Sequence, residues 1–314
     1  MWAAGHKGAG GPARGASKGA VTRGLASLAG RAKGKDLPPM RCWLAVMLAL
    51  LVSSAANAKL ITRAVEYKDG DTALEGYLAY DDAVRGKRPG VLVVHEWWGI
   101  NDYVKGRAQQ LAELGYVAFC ADIYGKGVRP TTPQEAMQVS AIYRSDRSLM
   151  RRRARAGLAV LQGEERVDPA RIAAIGYCFG GTTALELARS GADIVGVVSF
   201  HGGLDTPNPA DAKNIKGKVL ALVGGDDPNV PPQQRLAFEE EMRNAHVDWQ
   251  LVVYGGTVHS FTNPASGNDP SRGIAYNEKA DMRSWEAMRT FFAEIFKEPK
   301  VWHRAIDKAG AGKP

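Results

Sequence analysis

Three stretches of the chain are apolar at every position: Val91-Leu92-Val93-Val94, Val195-Gly196-Val197-Val198 and Val219-Leu220-Ala221-Leu222-Val223. A strand that is apolar on both sides must be covered on both faces, as in a parallel sheet flanked by helices. Further strand candidates are Ile61–Tyr67, Leu74–Tyr80, Gly90–His95, Val117–Cys120, Ile172–Gly176, Ile194–Phe200 and Trp249–Val253. The first two alternate in polarity, as an antiparallel edge hairpin does. Helix-like stretches fall between the strands: Val104–Leu114, Pro133–Tyr143, Leu149–Leu161, Thr182–Arg189, Gln233–Asn244 and Glu278–Phe296. Asp168-Pro169 and Asp226-Asp227-Pro228 read as turns. This alternation predicts an α/β fold with a mostly parallel central sheet and helices on both faces. With no internal repeat and no Gly/Pro-rich linker, residues 59–297 are expected to form one domain.

The net charge of +8 raises the question of nucleic-acid binding. Of 41 Lys and Arg and 33 Asp and Glu, eight and one respectively lie in residues 1–58, which leaves 33 basic and 32 acidic side chains in the remainder. The folded part therefore lacks the basic excess that a phosphate-tracking surface needs, and no nucleic-acid partner is expected.

Residues 1–39 are rich in Gly, Ala, Lys and Arg and show no apolar periodicity, which predicts a disordered extension or a mis-assigned start. From Met40, a short positive region leads into the apolar run Trp43–Val52 and then Ala56-Asn57-Ala58, a small-residue cleavage pattern. Residues 40–58 are read as a signal peptide, with an uncleaved anchor or a transit peptide as competing readings. The apolar run is shorter than the roughly 20 residues of a membrane span. The expectation is an exported, periplasmic or secreted protein without stable membrane insertion once the signal is removed, and a monomer. The segment 298–314 has no core pattern and is read as a loose tail. Cys120 and Cys178 are both expected as free thiols.

Gly176-Tyr177-Cys178-Phe179-Gly180-Gly181 lies between a strand and a helix candidate. It is a small-x-nucleophile-x-small turn, in which glycines allow a sharp bend that projects the thiol at a helix N-terminus. Alone, such a cysteine could equally be a buried residue beside a tight turn. Asp226 and Asp227 follow the apolar strand Val219–Val223, and His259 lies beyond the last strand. The order nucleophile, acid, histidine is that of α/β-hydrolases.

Taken with His95-Glu96-Trp97-Trp98-Gly99, Ala121-Asp122-Ile123-Tyr124-Gly125, Asp227-Pro228-Asn229-Val230-Pro231 and His259-Ser260-Phe261, the sequence from about Lys59 to Phe296 resembles the dienelactone hydrolase family. The resemblance implies an α/β-hydrolase fold and cleavage of a small-molecule carboxylic ester or lactone through a covalent acyl-enzyme, with no metal or organic cofactor. It implies Cys178 as nucleophile, His259 as base and acid, Asp227 rather than Asp226 as orienter of His259, and Glu96 in contact with the cysteine. The oxyanion is expected at the backbone N–H groups of Phe179 and Trp97. Trp97, Trp98 and Tyr124 suggest an aromatic-walled substrate pocket, with membership of the core as the equal alternative. Where the family's dienelactone-cleaving members carry a carboxylate-binding arginine after the histidine, this chain has Asn263, and Arg144 or Arg147 is the alternative carboxylate contact. Alternative functions are a thioesterase or other acyl hydrolase, and a catalytically silent binding protein of the same fold. His95 and Asp122 read as structural supports, His201 as a residue that could line the pocket, and Arg151-Arg152-Arg153-Ala154-Arg155 as a solvated helix face.

Overall fold

The computed structural model describes residues 59–297. The extension, the signal peptide and the tail expected at 1–39, 40–58 and 298–314 lie outside the described residues.

The sheet has eight strands in the order β1-β2-β4-β3-β5-β6-β7-β8. Strands β1 (Leu60–Asp69) and β2 (Thr72–Asp81) form the expected antiparallel edge hairpin, and β2 pairs antiparallel with β4 (Val117–Ala121). All remaining pairs are parallel, through β3 (Arg88–Val94), β5 (Val167–Tyr177), β6 (Gly196–Phe200), β7 (Lys218–Gly224) and β8 (Trp249–Tyr254). The continuously apolar runs serve both faces. Leu92 and Val94 join one core cluster while Val91 and Val93 join the other; Val219, Ala221 and Val223 are likewise divided from Leu220 and Leu222.

Helices α1 (Asp102–Glu113) and α6 (Glu278–Ile295) cover one face, through Val104, Ala108, Leu111, Met288 and Phe292. Helices α3 (Arg147–Gly163), α4 (Phe179–Arg189) and α5 (Pro232–Asn244) cover the other, through Leu158, Leu161, Leu185, Phe238 and Met242. Helix α2 (Pro133–Ser145) adds Tyr143 to that second core. Side-chain oxygens of Asn101, Thr132, Asp146 and Asn277 accept backbone N–H groups at the starts of α1, α2, α3 and α6. Helix α4 starts on Cys178 with no side-chain cap. Gly181 and Thr182 donate to the Cys178 carbonyl, so of its first four N–H groups only those of Phe179 and Gly180 have no acceptor within the helix.

Two local expectations differ from the structure. Strand β5 begins at Val167, so Asp168-Pro169 lies within it; its pairing with β3 shifts register between Arg88 and Gly90, an irregularity that tolerates a proline. The arginine run on α3 is not merely solvated. Arg153 is buried against Asp69 (2.8 Å), and Arg151 bridges Glu186 and Asp211.

Arg189 at the end of α4 is fully buried and bonds Glu241 of α5 (2.7 Å), Glu186 (3.1 Å) and the Leu204 carbonyl. Arg189→Ala would leave buried carboxylates unpaired, and we expect a loss of about 3–5 kcal/mol in urea unfolding at pH 7. A loss below about 1 kcal/mol would show that these charges are dispensable to the packing of α4 on α5.

Candidate active site

Strand order reverses at β3, which has β4 on one side and β5 on the other. In an open α/β sheet, the crevice beyond the strand ends at such a point is where ligands are held. The segment after β3 supplies Glu96 and Trp97 there, and the turn after β5 supplies Cys178.

The bend at Cys178 has φ 54° and ψ −116°, a conformation that costs a non-glycine residue energy. Its flanking glycines have no substitute. A Cβ on Gly176 would stand 1.9 Å from the Gly180 carbonyl oxygen, and one on Gly180 would stand 2.2 Å from that of Val94. Backbone on both sides is thus in contact, and the half-buried thiol is held at the start of α4.

His259 Nε2 lies 3.1 Å from Cys178 Sγ, and its Nδ1 lies 2.8 Å from Asp227 Oδ2. Asp227 is buried at the turn after β7 and also accepts the Asn229 backbone N–H (2.8 Å), whereas Asp226 is exposed. The histidine loop is braced by backbone bonds to Gly273 and Ala275. Burial disfavours charge on His259, but the Cys178 sulfur and the Asp227 carboxylate outweigh it and push the imidazole up to about 10. The arrangement therefore favours an imidazolium beside the sulfur. As the first residue of α4, Phe179 has an N–H with no acceptor inside the helix.

The Glu96 carboxylate makes its hydrogen bonds with partners other than the cysteine. It accepts from Ser260 Oγ (3.0 Å) and Asn263 Nδ2 (2.6 Å), while the bonding partner of the thiol is His259. Burial raises the Glu96 carboxyl, opposed by those two donors. Asn263 is thereby committed to Glu96, so the sequence position of the family's arginine does not face substrate here.

A cavity of about 430 Å³ opens over Cys178 and His259, bounded by Trp97, Met137, Arg144 and Ile274. Trp98 and Tyr124 are not among its lining residues. Trp98 packs edge-on against Trp97, and Tyr124 is buried against His95, Tyr143 and Phe179, with its hydroxyl donating to the Trp97 carbonyl. Of the two candidate carboxylate contacts, Arg147 pairs with Asp205 (2.9 Å). Arg144 faces the cavity, 5.5 Å from the Phe179 ring centroid, with no carboxylate in salt-bridge reach among the described residues.

His95 and Asp122 act as supports. His95 is buried between the Glu96 carbonyl and the Ile123 N–H, and Asp122 accepts the N–H groups of Glu75, Tyr124 and Gly125. His201 is fully buried behind the thiol rather than lining the cavity. Cys120 and Cys178 are both free. Sequence reasoning passed over Ser260, Thr262 and Arg107. The adjacency of Ser260 to His259 was the one available signal; the bonds of Thr262 and Arg107 are made across the fold.

Sheet order, the bend at Cys178 and the order of the three residues define an α/β-hydrolase fold. The dienelactone hydrolase family profile matches residues 74–296, and the chain belongs to that family, whose members hydrolyse ester or lactone bonds. A putative carboxymethylenebutenolidase of Aquifex aeolicus is 26% identical over 74% of this chain and 98% of its own. A probable 2-oxo-3-(5-oxofuran-2-ylidene)propanoate lactonase of a Bradyrhizobium species is 30% identical over 64% of this chain and 85% of its own. Among solved structures, a dienelactone hydrolase-like promiscuous phosphotriesterase from metagenomic libraries is 42% identical, covers 76% of this chain and all of its own (100%), and superposes with a TM-score of 0.73. A structure named m3DLH is 43% identical, with 76% and 99% covered and the same TM-score of 0.73.

Proposed function

We propose that the protein hydrolyses a carboxylic ester or lactone through a thioester on Cys178. The observation that carries this reading is the continuous line Cys178 Sγ, His259, Asp227, at 3.1 and 2.8 Å, whose Cys178 and His259 line the cavity. His259 takes the thiol proton and the thiolate adds to the substrate carbonyl carbon. The Phe179 and Trp97 N–H groups hold the resulting oxyanion. Collapse breaks the acyl–oxygen bond, and the His259 imidazolium protonates the departing alkoxide. Water, deprotonated by His259, then attacks the thioester, releases the acid and restores the thiol. Asp227 keeps the Nδ1 proton in place throughout.

The test is to trap the intermediate. Acid quenching after p-nitrophenyl acetate should leave one acetyl group per chain, mapped by peptide mass spectrometry to the peptide carrying Cys178. Turnover with no adduct at that peptide, or with an adduct elsewhere, would overturn the mechanism. Phosphotriesters, the substrate class named for the relative at 42% identity, are a second class to assay at the same thiol.

Arg144 refines the substrate. It is a cation facing the cavity without an ion-pair partner among the described residues, beside the apolar Met137 and Ile274. We propose that it receives an anionic group on an otherwise apolar ester. A charge-assisted bond is worth about 1.5–3 kcal/mol, so Arg144→Leu should lower kcat/KM for mono-p-nitrophenyl glutarate about 10- to 100-fold while sparing p-nitrophenyl butyrate. Equal effects on the two esters would remove Arg144 from recognition.

Export remains our proposal for residues 40–58. N-terminal sequencing of the secreted form should begin near Lys59, and a mature chain that starts before Met40 would count against it.

A further inference from the structure

His201 is the first residue beyond β6 and has no solvent exposure. Its Nδ1 lies 3.1 Å from the backbone N of Cys178, and that N–H is shared with the Phe200 carbonyl at 3.0 Å. A backbone N–H can only donate, so Nδ1 must be the lone-pair nitrogen and Nε2 must carry the proton. Nε2 in turn lies 2.7 Å from Thr262 Oγ1, which is 2.6 Å from the Tyr103 hydroxyl. The Thr262 carbonyl accepts from Arg107, which also pairs with Asp281 (2.6 Å). One imidazole thus joins the bend that carries the thiol to the loop that carries His259, and through Tyr103 to α1. The His201 and His259 rings meet edge to face at 5.3 Å.

Backbone shape argues in the same direction. Cys178 and His201 both have positive φ, 54° and 41°. Two adjacent strained residues persist when surrounding contacts over-determine them, and the bond between them is one such contact. Burial holds His201 well below the ordinary histidine range, so it stays neutral while His259 titrates. A neutral, fixed tautomer suits a strut and cannot serve as a proton carrier.

We infer that His201 is a positioning residue for the hydrolysis, locking the Cys178 backbone and the His259 loop in one geometry through a single Nε2–H tautomer. The inference rests on Cys178 being the nucleophile, and it concerns rate rather than substrate binding. Misplacement of a reacting group by about 1 Å costs on the order of 100-fold in rate.

Two substitutions separate the bond from the backbone strain. Glycine and asparagine both accept positive φ, but only asparagine offers an oxygen where Nδ1 stands. In single-turnover acylation by p-nitrophenyl acetate, His201→Gly should be about 10- to 100-fold slower, with KM within about 2-fold of wild type. His201→Asn should recover most of that rate. Equal rates for the two variants would overturn the inference. Nitrogen-15 spectra of histidine-labelled wild type give a readout that needs no variant to fold. They should show His201 with Nδ1 bare and Nε2 protonated from pH 5 to 9, and a protonated Nδ1 would end the proposal. Loss of the acetyl adduct at Cys178 in wild type would refute the nucleophile itself, whereas an intact adduct with indifferent His201 variants would refute only this inference.

Discussion

Cys178→Ala should form no acyl-enzyme and should lose about 10⁵- to 10⁶-fold in ester hydrolysis, because removing the proposed nucleophile leaves only oxyanion binding and proximity. The thiol is half-buried and its hydrogen bond is with His259, so its removal opens no large core cavity, and the melting temperature should stay near that of wild type. Cys178→Ser is the sharper comparison. The serine hydroxyl has the same imidazole beside it and the same first N–H groups of α4, but an alkoxide is far harder to form than a thiolate. We expect it to fall between wild type and Cys178→Ala. If Cys178→Ala kept activity within about 10-fold under reducing conditions, the binding-protein reading would take precedence.

The sheet was legible because burial on both faces leaves a mark that needs no partner: Leu92 and Val94 face one core, Val91 and Val93 the other, and all four are apolar. Cys178, Asp227 and His259 were legible for a related reason. Each stands just after a strand or at a tight bend, and the topology carries the ends of β5, β7 and β8 to one edge. The direction of a side chain leaving a loop was not legible. Asn263 occupies the place of a substrate contact along the chain, yet it turns to Glu96, 167 residues away in sequence. Glu96 is correspondingly taken up by Ser260 and Asn263 rather than by the sulfur. Tyr124 reads as a pocket aromatic from its motif, but its ring completes a stack with Tyr143 and Phe179 that only the fold assembles. The same holds for Arg153, whose partner Asp69 ends a strand 84 residues earlier.

Asp227→Asn should preserve the fold and substrate binding and still acylate about 10⁴-fold more slowly at neutral pH. The carboxylate accepts the Nδ1 proton of His259 at 2.8 Å. An asparagine amide can rotate to donate there instead. Nδ1 then holds the lone pair and Nε2 the proton, which faces Cys178 Sγ as a donor and cannot take the thiol proton. In that rotation the asparagine carbonyl oxygen stands at the Oδ1 position and keeps the backbone bond from Asn229, which fixes the amide nitrogen on the His259 side. The pH dependence should change in a defined direction. In the native site, burial opposes charge on His259 and the sulfur and Asp227 raise it to about 10. Hydrolysis of alkyl esters, whose leaving group needs the imidazolium proton, should therefore decline as pH rises through about 10. With one of the two raising groups neutralised, that decline should begin at lower pH in Asp227→Asn. The p-nitrophenyl esters leave without protonation and should show a weaker decline in both proteins. An unchanged kcat in Asp227→Asn, or a descending limb that stays where it was, would show that His259 draws neither its tautomer nor its basicity from Asp227.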